Sequence, residues 1–377
     1  MTALSALLVL ASAGAGAGGR EQARRIHERL AGVPPTEAVL ADMQADVAGS
    51  NATDAAYTAM ENSSFYSVTL KNFAAPWTNR DQSVFVPLND YTATVIGMVR
   101  DDVPFNTLLS ANLVYVGTGG GIPAYSPTSN DHYQALEDQN ADLKTRLTAS
   151  SQTAVSGLPD SATAGVMTTR AAAEAFFIAG TNRAMFRFTM LNHLCRDMEQ
   201  VLDTRGVPDR IRQDVSRSPG GDSRIFLNNC IGCHIGMDPL TQAFAYYTFD
   251  PAQGRIIYTD GVVQPKYFNN DATFQYGFRT PDDQWINYWR TGQNALLGWD
   301  SQLPGSGAGA KTMGQELANS TAFARCQVEK VFRNVCLRPP VDGTDRTQID
   351  SMVSSFRSGG YRLKQVFAES AAYCMGE

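Results

Sequence analysis

Apolar residues recur at helical spacing over most of the chain. In EQARRIHERL they define a first helix that ends at Gly32, and PPTEAVLADM opens a second with proline just inside its start. SVTLKNFAAPWTN and LNDYTATVIGMVRDDVPFNTLLSANLVYVG carry further helical stretches, interrupted at Pro104. The longest helical run covers 168–202, with Phe176, Phe177, Phe186, Met190, Leu191 and Leu194 on its apolar face and Gly180 as a bend. Three helices close the chain, in TAFARCQVEKVFRNV, TQIDSMVSSF and YRLKQVFAESAAYC. Period-two patterning is rare. Its best example is RIIYT-DG-VVQPKYF, where Asp260-Gly261 suits a hairpin turn between two β-branched runs. Gly119 to Gly121 and the polar run to Asn130 read as loop, and LPGSGAGAKTMG as a flexible glycine loop. The pattern predicts a mainly α protein with a small β-hairpin. It divides into an N-terminal helical domain over 21–150, a central region over 151–310 and a C-terminal helical domain over 311–377.

Composition narrows the class. The chain has 377 residues, 43% hydrophobic and 18% charged, enough for one large or two ordinary globular domains. A net charge of −6 without a basic block argues against a nucleic-acid partner. Residues 1–20 read as a secretory signal: a short apolar run is followed by Ala11-Ser12-Ala13 and Ala15-Gly16-Ala17, although no basic residue precedes it. No other segment approaches the ~18 consecutive apolar residues of a membrane span. The expectation is an exported bacterial protein, periplasmic or extracellular, with no transmembrane segment in its mature chain. The glycine triplet carries no phosphate-binding context, since no lysine and hydroxyl residue follow it.

The chemistry concentrates in NNCIGCHIGMDPL, which places Cys230, Cys233 and His234 within five positions. A thioredoxin-like site needs a βαβ setting, which is missing here. A structural zinc needs a second ligand pair, and none stands at finger spacing. A disulfide between the two cysteines leaves the histidine unexplained. Covalent haem accounts for all three: two thioethers anchor the ring and His234 Nε2 reaches the iron as the proximal ligand. Asp238 and Pro239 are expected to end a short helix and cap the next segment, and Met237 to pack beside the ring on the side of His234.

CIGCHIGMDPLTQAFAYYTFD resembles the haem signature of the planctomycete-type cytochrome c domain families of unknown function. IHERLAGVPPTEAVLADM is similar to their N-terminal segment and DDVPFNTLLSANLVYVG to their central domain. FARCQVEKVF and SGGYRLKQVFAESAAY resemble their C-terminal helices. The resemblance covers most of the chain after residue 21. It implies a multi-helix c-type cytochrome of the cell envelope with Cys230 and Cys233 as haem anchors and His234 as proximal ligand. It assigns no reaction. Phe176 and Phe177 stand where some relatives carry histidine.

The sixth iron position separates the function classes. Met313 is the leading candidate because it lies on the glycine loop before the last helices; Met190 and His193 follow, on the long helix. Packing is the competing role for each. Arg183 and Arg187 are candidates for the haem propionates or else exposed helix arginines. His27 and His132 are expected at the surface. The first functional reading is a mono-haem electron carrier serving a partner redox protein. The others are a haem enzyme with an open distal site, peroxidase- or oxygenase-like, and a chiefly structural haem.

Export predicts disulfides among the four remaining cysteines. Cys326 and Cys336 share a helix, and ten residues at ~1.5 Å each separate them by about 15 Å, beyond the ~7 Å a disulfide spans. If the last three helices run up, down and up, Cys336 and Cys374 meet at parallel C-terminal ends. Cys195 is then left for Cys326. Buried free thiols are the alternative for one pair.

Overall fold

The computed structural model describes residues 18–178, 180–268 and 274–376. The expected secretory segment lies outside the described residues up to residue 17. Among the described residues, no helix is long and apolar enough to cross a membrane.

The protein is mainly helical, with three small antiparallel strand pairs. Helices Gly19–Ala31, Glu37–Ala48 and Ala52–Met60 pack on one another, and the first and third also pack on the final helix, Leu363–Cys374. Gly32 ends the first at φ 70°, a left-handed conformation that favours glycine. Pro34 and Pro35 lie before the second helix, because Thr36 caps it by accepting a hydrogen bond from Val39 N. The C-terminal helices are Thr321–Cys336, Gly343–Ser358 and Leu363–Cys374, capped at their starts by Ser320 and Asp342 in the first two. One hydrophobic core runs from Ala23 to Cys374 through all three stretches of chain.

The structure pairs Cys195 with Cys326 and Cys336 with Cys374, at Cα separations of 5.3 and 5.5 Å. This is the pairing selected by the helix directions. Cys336 and Cys374 each end their helix.

Four expected elements differ. The 168–202 run is not one helix but Arg170–Phe176, Arg183–Thr189 and a wide turn, Met190–Leu194. Gly180, Asn182 and Cys195 all take positive φ, which an α-helix cannot continue through. LVYVG is a strand, Val114–Gly117, paired with Leu147–Ser150. Tyr115 of that strand lies so close to the helix Asp90–Arg100 that a Cβ at Gly97 would sit 2.1 Å from its ring. The strand Arg255–Tyr258 pairs backwards with Tyr247–Asp250 rather than forwards across Asp260-Gly261. Asp250 accepts the backbone N–H of Ala252 at 2.9 Å and so builds the turn that joins them. Beyond Gly261 the chain enters a 3-10 turn at Pro265, which has no N–H for a ladder. The glycine loop instead forms a strand, Ser306–Ala308, and a helix, Gly309–Ala318.

His27 and His132 are buried, not at the surface. His27 Nδ1 lies 2.8 Å from the Val33 carbonyl, and His132 accepts the Gly117 N–H at 2.7 Å. Their polar neighbours in sequence gave no sign of these backbone partners.

Candidate functional site

Cys230 precedes the helix Ile231–Thr241, and Cys233 and His234 lie in its first turns. The helix continues through Pro239, contrary to expectation. The proline leaves the Ile235 carbonyl without its ladder donor, and the helix runs only two residues further. Asp238 therefore caps nothing. It lies four residues after His234, on the same helix face.

That placement builds the site. His234 Nδ1 is 3.1 Å from Asp238 Oδ1, and Nε2 makes no hydrogen bond among the described residues. Asp238 is buried, and Arg183 grips it through Nε and Nη2 at 2.8 and 3.1 Å. The other edge of the same guanidinium meets Asp214 at 2.7 and 2.9 Å. Arg212, itself 1% exposed, donates its backbone N–H to Asp238 at 3.1 Å and stacks over Tyr267. Burial pushes the Asp238 carboxyl up, but Arg183, Arg212 and the bond to His234 outweigh it and hold the carboxyl well below its usual range. The carboxylate thus fixes the imidazole through Nδ1 and leaves Nε2 as its free nitrogen.

Arg183 and Arg187 are accordingly not free to hold propionates. Arg183 is committed to two aspartates, and Arg187 forms a bidentate pair with Asp197 at 2.7 and 2.6 Å. The reason is local: the helix Arg183–Thr189 faces the motif helix on one side and the 195–201 turn on the other.

Cys230 and Cys233 are free thiols, partly exposed, in a chain whose other four cysteines are paired. Cys233 Sγ lies 3.5 Å from the Met198 carbonyl. Gly236 brings Trp289 against the motif helix: a Cβ there would sit 1.8 Å from the indole nitrogen. Leu202, Val207, Ile225 and Leu227 stay exposed in the segments leading to the motif. Two free thiols and a free imidazole nitrogen in one helical turn, preceded by exposed aliphatic side chains, suit a flat apolar group covering them. The residues therefore fit a haem. Among the described residues, no group of three or more His, Cys, Asp or Glu is arranged to hold a metal ion alone.

The distal candidates lie elsewhere. Met190 and Met313 are 0% exposed within the main core, and Met237 packs into the same core. Met313 sits on the helix Gly309–Ala318 instead of a loop. His193 is buried, with Nε2 2.6 Å from the Tyr91 hydroxyl and its ring edge-on to Trp77. The described partners of His234 are Asp238 and the ring of Phe226. Phe176 and Phe177 stack on Phe188 and Tyr247 in the core.

His193 yields a pH prediction. Burial, then the nearby Lys330, hold its imidazole well below the ordinary range, and its Nδ1 has no partner. It stays neutral when folded and takes a proton when unfolded below about pH 6.5. Stability should therefore fall as pH drops through about 6.5, by up to ~1.4 kcal/mol per pH unit from this group. Urea midpoints for the native protein and His193→Gln at pH 5 to 8 test it: the variant should lose that part of the slope.

No protein-family model, curated protein or solved structure matches this chain.

Proposed function

We propose that Cys230 and Cys233 bind one haem c through thioethers and that His234 is its proximal ligand. The protein then acts in electron transfer with a partner redox protein in the cell envelope. The observation that carries this is the pair of unbonded thiols beside an imidazole whose Nδ1 is held and whose Nε2 is free. When bound, the haem supplies one-electron chemistry at its iron. Asp238 orients the imidazole and raises its basicity as a ligand. Leu202, Val207, Ile225 and Leu227 are exposed aliphatic side chains in the segments before the motif that a bound ring would cover. The two disulfides accord with an exported protein, where c-type haem is attached.

A second reading, a haem enzyme with an open distal site, is favoured by one observation. Met190, Met313 and His193 are sealed in the core.

Protein produced with the haem-attachment machinery should be heavier by about one haem after denaturation and retain haem absorbance. Acid-acetone extraction that frees all the haem overturns the proposal. Carbon monoxide separates the two readings: a carrier with a filled sixth position resists it, and an open site binds it rapidly.

A further inference from the structure

The largest cavity among those described lies away from the exposed face of the motif. It has a volume of about 770 Å³ and opens between the helix Thr321–Cys336 and the turn Met190–Leu194. That is the size of a small-molecule site. Phe73 and Trp77 form its apolar wall. Its other wall is one stripe of the helix: Lys330, Arg333 and Asn334 recur at intervals that share a face. The Cys195–Cys326 disulfide ties the two sides together at the cavity edge.

The charges in this cavity are unbalanced. Lys330, Arg333 and Arg196 line it, with Glu329 as the lining carboxylate. Glu329 is 3.6 Å from Arg325 on its own helix, so its charge is already engaged. Lys330 donates to the Asn192 carbonyl, and its ammonium lies 4.3 Å from the centre of the Trp77 ring. No carboxylate pairs with Lys330, Arg196 or Arg333 among the described residues. Burial pulls the Lys330 amine down to about 7, with no anion to oppose the shift. His193 behind it is neutral and adds no counter-charge. Asn334 Oδ1 is buried without a partner, an acceptor awaiting a donor. A half-buried lysine over an aromatic ring, two guanidiniums without a carboxylate partner, one of them held on the Cys195 carbonyl, and an orphan acceptor form a set of groups that a ligand completes.

We infer that this cavity binds a small aromatic carboxylate bearing a hydroxyl. Its carboxylate pairs with Lys330 and the two arginines, its ring lies against Trp77 and Phe73, and its hydroxyl donates to Asn334. The site is also near the motif: Gln200 lines the cavity, and two residues earlier the Met198 carbonyl touches the Cys233 thiol. The inference does not rest on the haem.

Titration calorimetry with 4-hydroxybenzoate on the intact protein tests it. One saturable site is expected, with acetate and phenol each at least tenfold weaker. Lys330→Met, which keeps the stem on Trp77 and removes the charge, should weaken binding at least tenfold. Absence of saturable binding, equal affinity for acetate, or an unchanged Lys330→Met affinity would each overturn the inference. Should that variant not fold, reductive methylation of the native protein decides. Saturating 4-hydroxybenzoate should slow labelling of Lys330 at least fivefold and leave Lys144 unaffected, and undiminished labelling of Lys330 rejects the site.

Discussion

Asp238→Asn should destabilise the protein by about 3–5 kcal/mol, the usual cost of removing one partner from a buried ion pair. The side chain keeps its size, but one accepting oxygen becomes an NH2 donor facing other donors, so the loss combines the charge with an acceptor. Asp238 receives Arg183 through two donors, the Arg212 backbone N–H and His234 Nδ1. Without its charge, Arg183 retains Asp214, while Arg212 keeps Thr181, to which its Nη2 donates at 2.9 Å, and no carboxylate at hydrogen-bond distance. Its Nε and Nη1 already lack hydrogen-bond partners, and Asp214 is 3.8 Å away. Two buried cations then share one carboxylate. The comparison is Asp197→Asn, which breaks the surface pair with the half-exposed Arg187 and should cost less than about 1 kcal/mol. Chemical denaturation of both variants beside the native protein measures the difference. If the two variants lose equal stability, the Arg183–Asp238–Arg212 cluster is not what holds this region together.

Removing the Cys195–Cys326 bridge as a double serine variant should cost about 5 kcal/mol by the chain-entropy relation, against about 4 for Cys336–Cys374. The bridges close loops of very different length, with sequence separations of 131 and 38. The longer one fastens the turn before the Cys230–His234 motif to the C-terminal helices, and it borders the cavity that holds Lys330. Its loss should therefore also loosen that wall, which the shorter bridge does not touch. Thermal unfolding of the two double variants ranks them. Equal losses would mean that native packing, not loop closure, dominates both.

The site was legible to different depths. Cys230, Cys233 and His234 stand out because three residues of two scarce types fall within five positions, and that signal needs no fold. The spacing of Asp238 from His234 also places them together once the segment is a helix. Pro239 suggested that the helix stopped short, and the carboxylate's role was hidden for that reason. Arg183 and Asp214 could not be joined to it from sequence, since their partners are distant along the chain and carry no pattern. Nor could Lys330 be recognised: a lysine in an amphipathic helix reads as solvent-facing until Trp77 and Asn192 are found over it.

By itself the sequence determined the helical class, the three C-terminal helices, the candidate haem anchors and the exclusion of a Cys326–Cys336 bridge. Each of these follows from short-range periodicity, a local motif or the rise of a helix, all of which operate within a few turns of chain. The tertiary structure alone decided where the 168–202 run breaks, which way the strand Arg255–Tyr258 pairs, and that Met313, His27 and His132 are buried. It also decided what Arg183 grips. These outcomes depend on competition between local preference and partners far along the chain, such as Asp238 for Arg183 and Tyr247–Asp250 for the strand. Burial supplies most of that energy, and it becomes defined only when the core closes.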